Sequence, residues 1–180
     1  MTNISEELLN DRIVFFVGEV DDQSCADIIQ RLLYLNKNDQ KKPIHLYIMS
    51  PGGSVVAGLA VIDTIKLITA PVYTYCLGQT ASMGAVLLSA GEKGHRYITQ
   101  NSEVMIHQIS WGVKGKNEDI QVVAEVSRRK NKLLFQMLAD NCNKPIAKIY
   151  NDCRNDYYMS AEHAIEYGIA DKILGKEVEG

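Results

Sequence analysis

A serine set among small residues and an imidazole at the end of an apolar run are the two features of this chain that could make and break covalent bonds. Gly78-Gln79-Thr80-Ala81-Ser82-Met83-Gly84-Ala85 places Ser82 where strand-like residues give way to helix formers, a turn that exposes a hydroxyl beside backbone N–H groups. The segment misses the G-x-S-x-G pattern, because Thr80 stands where the first glycine belongs. Local sequence alone favours a simpler role, a helix-capping serine whose hydroxyl accepts a backbone N–H. Val104-Met105-Ile106-His107-Gln108 puts His107 at the end of an apolar strand, where parallel sheets display reactive groups. A lone histidine there is more often simply satisfied by a neighbour. Asp152, Asp156 and Asp171 could each orient it, and spacing does not choose among them. His45 inside a strand, His95 beside a glycine-containing turn and His163 on a solvated helix offer less.

The elements that must position these groups follow from hydrophobic periodicity. Ile13 to Val17 is β-branched and aromatic and reads as a buried strand. Asp21 or Asp22 caps a helix in which Cys25, Ile28, Ile29, Leu32 and Leu33 recur at three-to-four spacing. After the polar run Asn36 to Lys42, strand chemistry returns at Ile44 to Met49. Ser50-Pro51-Gly52-Gly53 turns, and Ser54 to Ile68 reads as a buried helix. The pattern repeats with a strand at Val72 to Cys76, a loop at Leu77 to Ala81 and a helix at Ser82 to Ala90. Strands follow at Arg96 to Thr99 and Val104 to His107. Repeated strand-then-helix units predict a mostly parallel α/β sheet. Glu118 to Asn141 predicts one long helix, Pro145 opens a short one, and Ser160 caps another that stops at Gly168 before a strand at Ile169 to Leu174.

Composition narrows the class. The chain has 180 residues, 46% hydrophobic and 23% charged, which predicts one ordered domain over 1–180 with no linker. With 19 basic residues against 22 acidic, the net charge of −3 offers no footprint for nucleic acid. No apolar run reaches the roughly 18–20 residues that span a bilayer, and the start carries no export signal, so a cytoplasmic protein with no membrane role is expected. Cys25, Cys76, Cys142 and Cys153 form no CxxC pair and fit reduced, buried thiols better than a disulfide frame or metal site.

From about Leu8 to Leu174 the chain resembles the proteolytic subunit of the Clp ATP-dependent protease, a serine peptidase family of crotonase-like fold. Four ordered blocks carry the likeness: Tyr47-Ile48-Met49-Ser50-Pro51-Gly52-Gly53, Gly78 to Leu88, Met105-Ile106-His107-Gln108, and Asp156-Tyr157-Tyr158-Met159-Ser160-Ala161 leading into Glu166-Tyr167-Gly168. The resemblance implies repeated ββα units and a protruding helix-strand handle at about 108–142. It implies Ser82 as nucleophile, His107, 25 positions on, as base, Asp156 as orienting acid, and the backbone N–H groups of Gly53 and Met83 as oxyanion donors. It implies no cofactor and no metal, and no P-loop GKS or GKT is present for nucleotide.

The same resemblance implies heptameric rings stacked in pairs around a chamber, fed with unfolded protein by a hexameric AAA+ Clp-type unfoldase. That partner's docking cleft maps to Leu33, His45, Tyr47, Leu67, Tyr75, Leu77, Tyr97 and Leu174, with His45 where an aromatic is common. Three departures stand out. The dozen or so residues before Ile13 predict short or missing axial loops. The family's usual proline after His-Gln is Ile109, with Trp111-Gly112 following in place of a glycine pair, which frees an N–H in the segment that meets substrate. Where many members pair an arginine with an acid to lock two rings, this chain has Asn155 and Asp119, and Arg154 next door should face the other way if the segment is a strand. These changes give a second reading, a weakly active paralogue acting mainly as a structural ring subunit beside a companion subunit. An acyl-CoA enzyme of the same fold fits less well, because the Ser, His and Asp blocks are all present.

Overall fold

The computed structural model describes residues 4–110 and 116–175. They form seven helices and seven strands, which alternate except that β4 is followed by β5 and α5 by α6, and the strands form one sheet. Helix α1 (Ile4–Asn10), which no periodicity announced, leads into β1 (Ile13–Val17). Asp21 then caps α2 (Asp22–Asn38) reciprocally: its carboxylate accepts the Ser24 N–H at 2.7 Å, while Ser24 Oγ accepts the Asp21 N–H at 3.1 Å. Strand β2 (Ile44–Ser50), α3 (Val55–Leu67), β3 (Val72–Ala81) and α4 (Met83–Ser89) complete the repeat.

Strands β1, β2, β3, β4 (Arg96–Thr99) and β7 (Lys172–Leu174) lie side by side and parallel. Parallel strands need helical crossovers that cover the sheet, and one set of alternate residues is accordingly fully buried: Phe16, Leu46, Ile48, Cys76 and Ile98 are all at most 1% exposed. The opposite set carries Phe15, Tyr47, Tyr75 and Tyr97 in register across four strands.

The expected loop at Leu77 to Ala81 is instead the second half of β3. Between the pairs Ile48–Cys76 and Ser50–Thr80, β3 holds two more residues than β2, and Gly78 absorbs the bulge at φ +61°. The bend forks the sheet. Thr74 to Cys76 pair with β4, whereas Gln79 to Ala81 pair with β5 (Glu103–Ile106), itself joined antiparallel by β6 (Tyr157–Ser160). Where the ladder parts, the Cys76 carbonyl accepts the Ser102 and Thr99 hydroxyls at 3.3 and 3.4 Å, so the fork leaves no polar orphan there.

The long helix α5 (Asn117–Cys142) is buried only from Leu134 onward. Its end is pinned by Arg96, whose guanidinium donates to the Asn141 carbonyl at 2.9 Å and grips both oxygens of Asp171, and by Asn141, whose amide reaches Ser89 Oγ at 3.0 Å. Helix α6 (Ile146–Asp152) starts after Pro145, and α7 (Ala161–Tyr167) runs from its Ser160 cap to Gly168 at φ +86°. Two smaller expectations shift: the last strand begins at Lys172 rather than Ile169, and Arg154 and Asn155 lie in a turn before β6 rather than on a strand. Trp111 and Gly112, at the strand side of the expected handle, lie outside the described residues. No described helix is long and apolar enough to cross a membrane.

Candidate active site

Among the described residues three serines precede helices, and their geometry separates one from the others. Ser54 and Ser160 have extended-type backbone, and their hydroxyls accept the N–H of Ala57 and His163 at 3.3 Å, as helix caps do. Ser82 sits at φ +55°, ψ −121° and makes no side-chain cap. That overturns the reading from local sequence. Left-handed backbone on a non-glycine residue costs on the order of 1–3 kcal/mol, so the surroundings must enforce it. They do: the Ser82 N–H donates to the Met105 carbonyl at 2.8 Å, its own carbonyl accepts the Ala85 N–H at 3.0 Å, and Gly52 lies against it. A Cβ on Gly52 would stand 2.6 Å from Ser82 Cβ, and one on Gly53 2.4 Å from the Val20 carbonyl oxygen. Both glycines also have positive φ, +95° and +147°, so this turn admits no side chain.

The freed hydroxyl points at the imidazole. Ser82 Oγ lies 2.8 Å from His107 Nε2, and the other ring nitrogen, Nδ1, lies 3.3 Å from Asp156 Oδ1. The fork in β3 makes this meeting: the second half of β3 delivers Ser82, its new neighbour β5 delivers His107, and the turn leading to β6 delivers Asp156. The other two acids are engaged elsewhere. Asp152 accepts from the Tyr167 hydroxyl at 2.7 Å and from Lys148, and Asp171 accepts from Arg96 and the Gly94 N–H. Neither ring nitrogen of His107 is thereby left to them.

The N–H groups of Gly53 and Met83 donate no hydrogen bond among the described residues, and both residues line the same small cavity as Ser82 and His107. That cavity, about 70 Å³, is closed by Val86, Ile106, Leu134, Phe135 and Leu138. Unfilled donors beside an apolar recess suit a carbonyl oxygen and a nonpolar side chain.

A family model for Clp protease matches residues 1–177. The chain belongs to the Clp protease family. Its mixed α/β architecture with one sheet is the crotonase-like fold expected of that family, and its chemistry is that of a peptidase.

For the other positions carried over from the Clp protease family, the structure gives these places. Tyr47 stacks on Tyr75 with centroids 4.3 Å apart, Tyr75 on Tyr97 at 4.8 Å, and His45 Nδ1 lies 2.7 Å from the Tyr75 hydroxyl. Burial pushes the Tyr75 phenol up to about 12, aided by the neighbouring Tyr47 and Tyr97, and pulls the His45 imidazole down, so both are neutral near pH 7. Leu77 and Leu174 are half-buried on β3 and β7, whereas Leu33 and Leu67 are exposed on α2 and α3. Asp119 and Asn155 are both exposed, and no hydrogen bond or ion pair among the described residues joins them. His163, expected on a solvated helix, is half-buried against Tyr157, and His95 is half-buried against Tyr97. All four cysteines are buried and free, with burial raising Cys142 to about 11 and Cys153 to about 12, which keeps them protonated and unreactive. Sequence reasoning missed one contact beside the site, the Ile109 N–H donating to Asn131 Oδ1 at 2.8 Å; its one signal was the residue at 109 having an N–H to donate.

Proposed function

We propose that this Clp protease family member is a serine endopeptidase acting through Ser82, His107 and Asp156. The observation that carries the reading is the Ser82 hydroxyl, which forgoes helix capping and meets His107 Nε2 at 2.8 Å. His107 takes the hydroxyl proton as Oγ attacks the scissile carbonyl carbon, and the carbonyl π electrons move onto oxygen. The Gly53 and Met83 N–H groups receive that oxyanion, an interaction typically worth about 3–4 kcal/mol per donor. Asp156 holds the proton on Nδ1 and stabilises the imidazolium. The imidazolium then protonates the departing amine, and water, deprotonated by the same His107, releases the acyl group from Ser82. The apolar recess favours a nonpolar side chain on the acyl side of the cut.

The subunit works in the cytoplasm as part of heptameric rings, stacked as a double ring, whose chamber admits unfolded polypeptides. A hexameric AAA+ Clp-type unfoldase supplies them and supplies all the ATP dependence, docking an apolar loop on the Tyr47, Tyr75 and Tyr97 face beside His45. Leu33, Leu67, Leu77 and Leu174 complete that docking surface. Asp119 and Asn155 stand at the ring-to-ring contact, which is weak or differently built because Asn155 cannot replace a bidentate charged partner. The reading as a ring subunit that depends on a companion has one observation in its favour: Asp156 is 59% exposed, so in the lone chain water competes with His107 for the acid. Hydrolysis of an unfolded protein, with and without such an unfoldase and ATP, tests the proposal. Cleavage by the parent and none by Ser82→Ala is the expected result. Activity that appears only when a companion subunit is added would favour the second reading.

A further inference from the structure

The two residues that follow His107 are fastened from different elements. The Gln108 N–H donates to the Cys153 carbonyl at 2.8 Å, and the Gln108 side chain reaches the Arg154 carbonyl at 3.4 Å, which ties it to the turn that carries Asp156. The Ile109 N–H donates instead to Asn131 Oδ1 on α5, at 2.8 Å. Asn131 stands at the point where α5 leaves the body of the protein, since the buried residues of this helix begin three positions later, at Leu134. Packing fixes the segment there only on one side, where the Ile109 side chain lies against the core and shares a cavity wall with Leu134, Phe135 and Leu138 of α5. On the other side Gln108, Arg128, Asn131, Lys132, Phe135 and Tyr150 border an open cavity of about 290 Å³, so there the hydrogen bond is the directional tie between α5 and the chain leaving β5. A proline at 109 could not be held in this way.

We infer that Asn131 is a positioning residue: by holding the Ile109 amide it ties the placement of α5 to the placement of His107 Nε2 against Ser82. The inference rests on the proposed roles of Ser82 and His107. A change of about 1 Å in such an alignment is enough to cost on the order of 100-fold in rate. Whatever moves α5 therefore reaches the imidazole through two residues of backbone. Asparagine is a poorer helix former than alanine, so replacing it by alanine does not endanger the helix itself.

The test compares Asn131→Ala, Asn131→Asp and Ile109→Pro in the full chain. It reads kcat and KM on a short peptide, the rate at which a fluorophosphonate labels Ser82, and amide hydrogen exchange across residues 107–110. Asn131→Ala should lower kcat and the labelling rate together, on the order of 10–100-fold, with KM little changed, and should speed exchange at Ile109. Asn131→Asp keeps the acceptor oxygen and should restore slow exchange and most of the rate. Ile109→Pro removes the donor, and combined with Asn131→Ala it should add no further loss. Unchanged labelling and unchanged exchange in Asn131→Ala overturn the inference, as does an Asn131→Asp variant no better than the alanine one. A parent that takes no label at Ser82 contradicts the proposed function instead, and exchange at Ile109 then decides on its own whether Asn131 holds the segment.

Discussion

Ser82 combines two things that a merely structural serine would not need, a left-handed backbone and a hydroxyl withheld from the helix it precedes. Local sequence could not reveal either, because small residues before a helix look alike whether the serine caps it or turns away. Only the Met105 carbonyl and the bare face of Gly52, both distant in sequence, select the second state. The same limit applied to the acid: three aspartates were equivalent by spacing, and hydrogen bonds from Tyr167 and Arg96 occupy two of them. Asp156→Asn should therefore reduce turnover by on the order of 10⁴, because an amide can hold the wrong imidazole tautomer. Asp152→Asn should reduce it far less, and comparing kcat for the two variants checks the assignment. Gly52→Ala should abolish activity while the sheet survives, read by circular dichroism alongside hydrolysis, since its methyl would collide with Ser82.

The strand-then-helix order was legible in the pattern of apolar runs, and two caps were written in single residues, one at Asp21 or Asp22 and one at Ser160, whereas the cap at Ser54 went unread. The fork in β3 was not legible, because Gly78-Gln79-Thr80 looks like a loop until β5 pairs with it. That fork creates the site, while the Arg96–Asp171 pair behind it secures the end of α5. Arg96 is 3% and Asp171 16% exposed at the side chain. Burial by itself would raise the Asp171 carboxyl, but the hydrogen bonds from Arg96 and Gly94 outweigh it and leave the group below its ordinary value. A depressed carboxylate contributes stability above its unfolded value, near pH 4, and that contribution is lost as pH falls through the folded value. Asp171→Asn should thus cost about 3–5 kcal/mol near pH 7, because it strands a buried guanidinium, and should flatten the acid limb below pH 4. Denaturant melts at pH 7 and pH 3 check both parts.

At the scale of the whole molecule, sequence showed which residues are apolar but not which of them a second chain covers. Leu67 at 78% exposed lies on the proposed docking surface, whereas Val122 at 62% and Val56 at 60% are free to be covered in the proposed ring assembly. In that assembly Asn155 cannot give Asp119 the bidentate charged partner that arginine would. Asn155→Arg should shift native mass toward the double ring and raise peptide hydrolysis. An already complete, fully active double ring in the parent, unchanged by the substitution, would place the lock in other contacts. The most direct test of the proposed chemistry is to treat the purified chain with a fluorophosphonate, map the adduct by peptide mass spectrometry and follow hydrolysis in parallel, in the parent and in Ser82→Ala and His107→Ala. One adduct on Ser82, with hydrolysis lost in step with its formation and neither labelling nor hydrolysis in the two variants, is the predicted result. Hydrolysis that survives in Ser82→Ala, or a label on another residue while Ser82 stays unmodified, would contradict it.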